Sequence, residues 1–288
     1  MERLLVGFDG SKSATKALEW AGAEAERRGW SVLVLQSWRE PIYGDRSWFD
    51  VLDDPTRLER EAKVELDAAV APVAEQHPDV PFTTLLLDDL PSLALIDASR
   101  DVAMVALGAR GRGGFTSLLL GSVSQRVATA ASCPVVVVRG DGDERGEVVV
   151  GVDGSPSSRQ ALRWAAEEAE RREVPLRAVM AWSYLMPVGE HGLELFRARY
   201  TAKDARDALE AVVAEELGPD PRVELRRDAV PAGAARALVE RGADAALLVV
   251  GPHQPSVPSR LGLGSVTNQV LHHATCPVAV VHGDHPVA

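Results

Sequence analysis

The stretch LLVGFDGSKSATKALEWAGAEAERRGWSVLVLQSW, from Leu4 to Trp38, decides how this chain folds. It begins with an aliphatic run, continues through a segment whose alanines and leucines recur at helical spacing, and closes on a second aliphatic run. That pattern predicts a strand, an amphipathic helix and a second strand. A strand–helix–strand unit of this kind is the building block of a parallel sheet covered by helices.

The same stretch returns downstream as VVVGVDGSPSSRQALRWAAEEAERREVPLRAVMAW, from Val148 to Trp182. The two copies align without gaps at an offset of 144 residues, and 16 of the 35 aligned pairs are identical. This period is longer than the roughly 20–50 residues of solenoid repeats, so we infer two copies of a whole domain. We predict domains at residues 1–140 and 147–283, joined by the polar, glycine-rich segment 139–147.

Both copies predict an α/β fold of five parallel strands flanked by helices. The predicted strands are Leu4–Phe8, Val32–Ser37, Phe82–Leu87, Ala103–Leu107 and Val135–Val138, then Val148–Val152, Leu176–Ala181, Val223–Arg227, Ala246–Val250 and Val278–Val281. Most of these runs are continuously aliphatic, which is typical of strands buried on both faces. A strand order of 3-2-1-4-5 would put the first and fourth strands beside the crevice where such sheets bind ligands. In that order Asp9 and Gly108 would lie side by side.

Composition narrows the class of protein. With 46% hydrophobic and 25% charged residues the chain is expected to be a soluble globular protein, and its apolar runs are too short to span a membrane. A formal net charge of −11 disfavours nucleic acid and anionic membranes as partners. Neither Cys133 nor Cys276 belongs to a metal-ligand spacing. We therefore expect a cytoplasmic protein, without a signal peptide and without a metal site.

A glycine-rich stretch, GARGRGGFTSLLLGS from Gly108 to Ser122, follows the fourth strand. Its first glycines let the backbone approach a ligand, and successive N–H groups in such a turn bind anions. Gly121 and Ser122 then begin a helix, whose N-terminus also favours phosphate. The Ser122 and Ser124 hydroxyls could donate further hydrogen bonds, and Arg110 or Arg112 could add positive charge. The stretch is neither a Walker A loop nor a dinucleotide fingerprint. From its spacing alone, it either binds a phosphate-bearing ligand or simply connects a strand to a helix.

An acidic residue follows the first strand of each copy, Asp9 in VGFDGS and Asp153 in VGVDGS. Asp9 could cap the helix that follows, which is a common structural role for aspartate. It could instead accept hydrogen bonds from an adenine amino group or a ribose. The residue pattern leaves both roles open.

Three motifs together resemble the universal stress protein family. They are the strand followed by Asp-Gly-Ser, the Gly-x-x-Gly-x9-Gly-Ser motif after the fourth strand, and the closing SCPVVVV strand. Both halves of the chain carry the resemblance, so the chain is similar to a tandem member of that family. The resemblance implies two Rossmann-like domains of the adenine nucleotide alpha hydrolase-like type, with a 3-2-1-4-5 sheet and ATP in the crevice. It also implies pairing of the domains through their last strands, Val135–Val138 and Val278–Val281, and leaves a homodimer open.

The resemblance further implies which residues would contact the nucleotide. In the first copy these are Gly7, Phe8 and Asp9 at the adenosine, Ser37 at the adenine, Leu107, Gly108, Arg110 and Gly111 along the ribose and phosphates, and Gly121, Ser122, Val123 and Ser124 at the phosphate tail. In the second copy they are Gly151, Val152, Asp153, Ala181, Val250, Gly251, His253, Gly264, Ser265, Val266 and Thr267.

The second copy departs from the motif at one position. The residue that matches Gly111 is Gln254, with prolines at Pro255 and Pro258. A side chain at that position would weaken a turn that needs a positive φ or a close approach to phosphate. We therefore hypothesise that the first copy carries the better ATP site.

The implied function is an ATP-binding, nucleotide-responsive stress or regulatory factor, with Mg²⁺ as a possible companion of the nucleotide. The motif contains no evident general base, phosphate-contacting lysine or Mg²⁺ carboxylate pair, so we expect no dedicated catalysis. Slow ATP hydrolysis stays open. A nucleotidyl-transferring enzyme would need an SGGxD- or HxGH-type motif, and none is present. The remaining alternative is a structural or partner-binding dimeric module with vestigial nucleotide sites.

Overall fold

The structure, a computed structural model, describes residues 2–38, 55–112, 119–140, 145–182, 201–252 and 263–282. The chain divides into two compact units, Met1–Gly140 and Asp141–Ala288. Each unit is a parallel sheet with helices between its strands. The predicted class, two tandem Rossmann-like α/β repeats, is therefore confirmed. No helix in the described residues is long and apolar enough to cross a membrane.

In the first unit, five parallel strands run in the order β3-β2-β1-β4-β5. The strands are β1 (Arg3–Phe8), β2 (Ser31–Ser37), β3 (Phe82–Leu87), β4 (Met104–Gly108) and β5 (Val135–Val138). The helices are α1 (Lys12–Arg28), α2 (Pro55–Gln76), α3 (Pro91–Ala98) and α4 (Ser122–Ala130). Strand β1 is at the centre of the sheet, where its Val6 pairs with Val34 of β2 on one side and Ala106 of β4 on the other.

The second unit repeats this arrangement, in the order β8-β7-β6-β9-β10. Its strands are β6 (Val148–Gly151), β7 (Leu176–Trp182), β8 (Leu225–Pro231), β9 (Leu247–Val250) and β10 (Val278–Val280). Its helices are α5 (Pro156–Arg172), α6 (Ala202–Leu217), α7 (Ala234–Arg241) and α8 (Ser265–His273).

The central strands are continuous aliphatic runs because both of their faces are covered. Every residue of β4 and of β5 is buried, and Leu4, Leu5 and Val6 of β1 have no exposed surface. Since neither face meets water, polar alternation would leave buried side chains without partners. The aliphatic composition of these strands therefore follows directly from their position in the sheet.

Strand β8 differs most from its predicted range of 223–227. It begins at Leu225 and continues to Pro231, pairing residue by residue with β7 from Leu176 to Trp182. Charged side chains, which argue against a strand in the sequence, are accommodated here by ion pairs. Asp228 accepts a 2.8 Å hydrogen bond from Arg177 of β7. The strand thus follows the length of its partner, and its half-exposed position tolerates the charges.

The N-terminus of α1 is fixed by Ser11. Its hydroxyl accepts a 3.1 Å hydrogen bond from the Ala14 N–H, which satisfies one of the free donors of the first turn. Gly29 closes the helix in the left-handed conformation at φ 64°. In the second unit Ser155 caps α5 in the same way. Both caps fix how the chain leaves the first strand of each unit, where the candidate site begins.

Candidate functional site

The carboxyl ends of β1 and β4 lie side by side in the first unit, because Gly7 pairs with Leu107. The loops that follow these two strands therefore meet. The Asp9 carboxylate joins them: its Oδ1 accepts a 3.0 Å hydrogen bond from the Ser11 N–H, and its Oδ2 accepts one of 3.0 Å from the Arg112 N–H. Asp9 thus serves both the start of α1 and the turn after β4. Ser11 rather than Asp9 caps α1, and the contact of Asp9 with an adenosine stays a prediction.

The glycines of this turn make close contacts. A Cβ added at Gly108 would lie 2.5 Å from the backbone carbonyl carbon of Ser13. One added at Gly111 would overlap the Asp9 carboxylate. Because no real Cβ approaches backbone so closely, the chain can lie this near α1 only with glycine at position 108, whereas a Cβ at position 111 would make the Asp9 side chain shift.

Two hydroxyls at the start of α1 hold the backbone of Arg110. The Ser11 hydroxyl donates to the Arg110 carbonyl oxygen at 3.1 Å, and the Ser13 hydroxyl oxygen accepts the Arg110 N–H at 3.2 Å. Ser13 was absent from the implied site residues. The signal that could have identified it is the second serine of GSKS, which recurs as Ser157 in the second copy.

The N-terminus of α4 faces the same turn. The Gly121 N–H donates to the Ala109 carbonyl at 2.8 Å, and Gly121 is the N-cap residue, with no side chain capping the helix. The first N–H groups of a helix have no partner within it, so those of Ser122, Val123 and Ser124 form a donor cluster suited to an anion.

Ser124 contributes less to that cluster than the sequence implied. Its side chain is buried, and its hydroxyl donates to the Gly108 carbonyl oxygen at 2.7 Å. The hydroxyl hydrogen therefore holds β4 to α4, and the backbone N–H is the group left for a phosphate. Thr267 makes the same 2.7 Å bond to the Gly251 carbonyl in the second unit.

Strand β2 ends beside this crevice. Its last residue, Ser37, pairs with Leu87 of β3, and its hydroxyl donates to the Asp89 carbonyl oxygen. The preceding residue, Gln36, pairs with Phe8 of β1. Ser37 and Asp9 therefore both lie at the carboxyl edge of the sheet, on adjacent strands. Phe8 itself is buried beneath this edge.

Gln36 is a polar residue in an otherwise aliphatic strand. Its side chain is only 5% exposed, and its Oε1 has no hydrogen-bond partner in the described part of the chain. The second copy has Met180 at the corresponding position, one residue beyond the pairing of Gly151 with Val179. The fold therefore does not require an amide there. An unsatisfied buried amide costs stability.

We expect Gln36→Met to stabilise the first unit by about 1 kcal/mol, because it removes an unsatisfied buried acceptor. The reciprocal change, Met180→Gln, is expected to destabilise the second unit by a similar amount or more. Hydrogen exchange of the intact protein, followed by mass spectrometry of peptides from each unit, measures both effects. Faster exchange in the first unit of Gln36→Met would show that the amide is satisfied in solution.

A charged pair lies beside the Asp9 loop. The Arg112 guanidinium forms an ion pair with the Glu65 carboxylate of α2. Both groups pack against Gly10, where an added Cβ would overlap them and where the backbone has a φ of +74°. Glu65 was not considered from the sequence, whereas Arg112 was one of two arginines, with Arg110, expected to add positive charge at this site. Glu65 could not be identified from the sequence because it lies in a helix far from the motif.

The second unit brings together the matching residues of the predicted set. The Ser155 N–H donates to Asp153 Oδ1 at 2.9 Å, and an added Cβ at Gly251 would lie 3.0 Å from the Ser157 backbone. Gly264 is the N-cap of α8, again without a side-chain cap. The remaining predicted residues of this unit that are described are Gly151, Val152, Ala181, Val250, Ser265, Val266 and Thr267, at the ends of β6, β7 and β9 and in the first turn of α8.

Part of the second motif falls outside the described residues. His253, Gln254, Pro255 and Pro258 belong to that part. The steric consequence of Gln254 therefore stays a prediction.

The cysteines lie away from these loops. Cys133 and Cys276 are both fully buried, each just before its closing strand. Burial raises the pKa of the Cys133 thiol to about 12, so it stays protonated at neutral pH. Since the thiolate is the reactive form, Cys133 behaves as a small apolar side chain. The described residues also contain no cluster of three or more histidine, cysteine, aspartate or glutamate side chains that could hold a metal ion.

Comparison with known proteins identifies the same family for both halves. The model of the universal stress protein family matches residues 1–139 and again residues 144–282. A universal stress protein of Mycobacterium tuberculosis strain H37Rv is 33% identical over 289 residues, covering 96% of each chain. One from Mycolicibacterium smegmatis is 32% identical over 296 residues, also covering 96% of each.

Solved structures agree at the level of the fold. A universal stress protein from Archaeoglobus fulgidus superimposes with a TM-score of 0.68 at 19% identity, covering 98% of both chains. A putative universal stress protein from Pseudomonas aeruginosa gives a TM-score of 0.59 at 17% identity, covering 98% of this chain and 93% of the other. At these identities the likeness concerns the fold alone.

Proposed function

Because the chain belongs to the universal stress protein family, we propose that it binds ATP in the crevice of its first unit and acts as a nucleotide-responsive stress factor. The observation that carries this proposal is the N-terminus of α4, which has no side-chain cap and contacts the same turn after β4 that Asp9 contacts. A backbone anion site next to a carboxylate acceptor suits a ligand with phosphate at one end and a hydrogen-bond donor at the other.

At the adenosine end, the proposed contacts are Gly7, Phe8, Asp9 and Ser37. Asp9 supplies an acceptor for an amino or hydroxyl group of the ligand, while its existing bonds to two backbone N–H groups keep its carboxylate in place. The Ser37 hydroxyl is bonded to Asp89, so its backbone is the part proposed to lie against the base.

At the phosphate end, we propose that backbone N–H groups make most of the contacts. The Arg110 backbone is already held by Ser11 and Ser13, which preorganises the turn before a ligand arrives. Preorganisation raises affinity because less freedom is lost on binding. The proposed contacts are Leu107, Gly108, Arg110, Gly111, Gly121, Ser122, Val123 and Ser124.

The second unit is proposed as the weaker of two ATP sites. Its described residues keep Asp153, Gly251 and Gly264, but Gln254 replaces the glycine that matches Gly111. In the first unit, a Cβ at Gly111 would displace the Asp9 carboxylate. A glutamine in the same geometry would have to move the turn away from Asp153.

Mg²⁺, when it accompanies ATP, is proposed to arrive bound to the phosphates. Of the nearby carboxylates, Asp9 accepts two backbone N–H groups and Glu65 is paired with Arg112. Magnesium is commonly held by substrate phosphates and water with few protein ligands. We propose no dedicated catalysis. The alternative is slow ATP hydrolysis by an oriented water, which a measurement of phosphate released from ATP would detect.

The assembly proposed from the family resemblance has two domains, 1–140 and 147–283, paired through their last strands, in a cytoplasmic chain that can form a homodimer. Such a module could function with vestigial nucleotide sites, which is the alternative function. Size-exclusion chromatography with light scattering, with and without ATP, separates the monomeric from the dimeric chain.

The proposed function is tested on the full-length protein. Nucleotide released by denaturing freshly purified protein is identified by mass spectrometry, and calorimetric titration with ATP, GTP and tripolyphosphate follows. We expect adenine nucleotide in the released fraction and one strong ATP site per chain. If the protein releases no nucleotide and titration with ATP gives no heat, the chain is a structural module and ATP binding is wrong.

A further inference from the structure

We propose that Arg112 is the side chain that contacts the phosphates in the first site, and that Glu65 of α2 competes with the ligand for it. This inference rests on the proposed nucleotide site and identifies a binding residue and its competitor. Without ligand, Arg112 is paired with Glu65. With ligand, the guanidinium exchanges the carboxylate for phosphate oxygens.

The backbone of Arg112 already lies within the site. Its N–H donates to Asp9 Oδ2 at 3.0 Å, so the residue begins in the crevice between the two loops. Its guanidinium and the Glu65 carboxylate both pack against Gly10, in the loop between β1 and α1. The ion pair therefore lies at the edge of the site, against the residue that follows Asp9 in the chain.

The energies of the two possible partners favour the exchange. The side chains of Arg112 and Glu65 are 54% and 41% exposed, and an ion pair that stays in contact with water contributes little to stability. A guanidinium is always charged and pairs bidentately with carboxylate and phosphate alike, but a triphosphate carries several negative charges where Glu65 carries one. A triphosphate therefore offers Arg112 more than the single carboxylate does.

The charges around the crevice also support the competition between Glu65 and phosphate. Asp9 and Glu65 are two carboxylates next to a site proposed for a polyanion; Asp9 accepts the backbone N–H of Arg112, and Glu65 holds its guanidinium. While Glu65 holds the guanidinium, the local charge opposes phosphate. Neutralising Glu65 leaves the cation available and removes one repulsive charge.

The second copy lacks both members of the pair. The glycine motif aligns Gly108 with Gly251, which puts Pro255 at the position of Arg112. In the helix, the buried Leu66 and Val70 match the buried Leu209 and Val213, which puts Ala208 at the position of Glu65. Since the second copy has the same fold and keeps Gly251 and Gly264 without this pair, the pair belongs to the first site rather than to the fold.

Glu65→Gln is the direct test, with Asp67→Asn as its matched control. Asp67 lies on the same helix, and removing its charge breaks a local ion pair with Lys63 without affecting Arg112. Calorimetric titration compares ATP with adenosine, which lacks phosphate. We expect Glu65→Gln to tighten ATP binding by about 3- to 10-fold and to leave adenosine unchanged. Asp67→Asn should bind both ligands as the wild type does.

Arg112→Gln completes the experiment. It should weaken ATP binding about 10-fold, leave adenosine unchanged and abolish the effect of Glu65→Gln in the double variant. Arg112→Lys, which keeps the charge, should have an ATP affinity between those of the wild type and Arg112→Gln. Arg110→Gln should weaken ATP binding less than Arg112→Gln does; a larger loss would identify Arg110 as the phosphate contact. The dependence of ATP affinity on salt should also become shallower in Arg112→Gln.

The outcomes separate the two proposals. Wild-type protein that binds neither ATP nor adenosine refutes the proposed function, and this inference with it. If wild-type protein and Glu65→Gln bind ATP with the same affinity, the competition by Glu65 is refuted and the proposed function is not affected. An equal change for ATP and adenosine would mean that Glu65 acts on the adenosine end.

Discussion

Gly108→Ala is expected to destabilise the first unit by about 3 kcal/mol, because the fold has no room for a methyl group there. The added Cβ would lie 2.5 Å from the Ser13 carbonyl carbon and 2.6 Å from its oxygen. Both are backbone atoms in the first turn of α1, held by the Ser11 cap. Neither can move without shifting the helix or β4. Hydrogen exchange in peptides from α1 and β4 of the intact protein measures the loss.

Gly251→Ala is the matched control for this change. It alters the corresponding glycine of the second unit, where the added Cβ would lie 3.0 Å from the Ser157 backbone. That contact is tight but can be relieved by a smaller shift, so we expect about 1 kcal/mol, confined to the second unit. Equal losses in the two units would mean that the turn after β4 relaxes more easily than its contacts indicate.

Gly121→Asp is expected to lower ATP affinity at least 100-fold while leaving the fold intact, since a carboxylate at this position repels phosphate at close range. Aspartate is a favourable N-cap residue, so α4 should be as stable as before or more so. The nearest atom to an added Cβ is the Ala109 carbonyl oxygen at 3.5 Å, which leaves room for the side chain. Calorimetric titration and thermal unfolding measure the two effects separately.

Two controls make this result specific. Gly121→Asn adds a side chain of nearly the same shape without its charge, and it should lose much less affinity than the aspartate variant. Gly264→Asp makes the same change at the N-cap of α8 and should leave the strong site in place. If Gly264→Asp abolishes ATP binding and Gly121→Asp does not, the second unit carries the principal site.

The fold class could be predicted because its determinants are local and repeated. The aliphatic strands, the serine cap of α1 and the closing Gly29 all lie in one stretch of sequence, and the second copy repeats the pattern. The bounds of strand β8 could not be predicted in this way. Its length is set by pairing with β7, and its charges find partners such as Arg177 in another strand.

The candidate site was predicted less completely, for a related reason. Motif residues such as Gly108 and Asp9 can be read from the sequence together with the family resemblance. Glu65 and Ser13 become site residues only through tertiary contacts with Arg112 and Arg110. Ser124 shows the opposite error, because a hydroxyl next to a glycine motif looks available until its bond to the Gly108 carbonyl is seen.

The hydrogen bonds between the start of α1 and Arg110 affect how the first unit folds. The Ser11 and Ser13 hydroxyls contact a residue 99 and 97 positions away in the chain. Contacts between residues so distant in sequence form late, after β4 has joined the sheet. A ligand that needs both loops then finds its site only in the native unit. We therefore expect ATP to slow unfolding of this unit without accelerating its refolding.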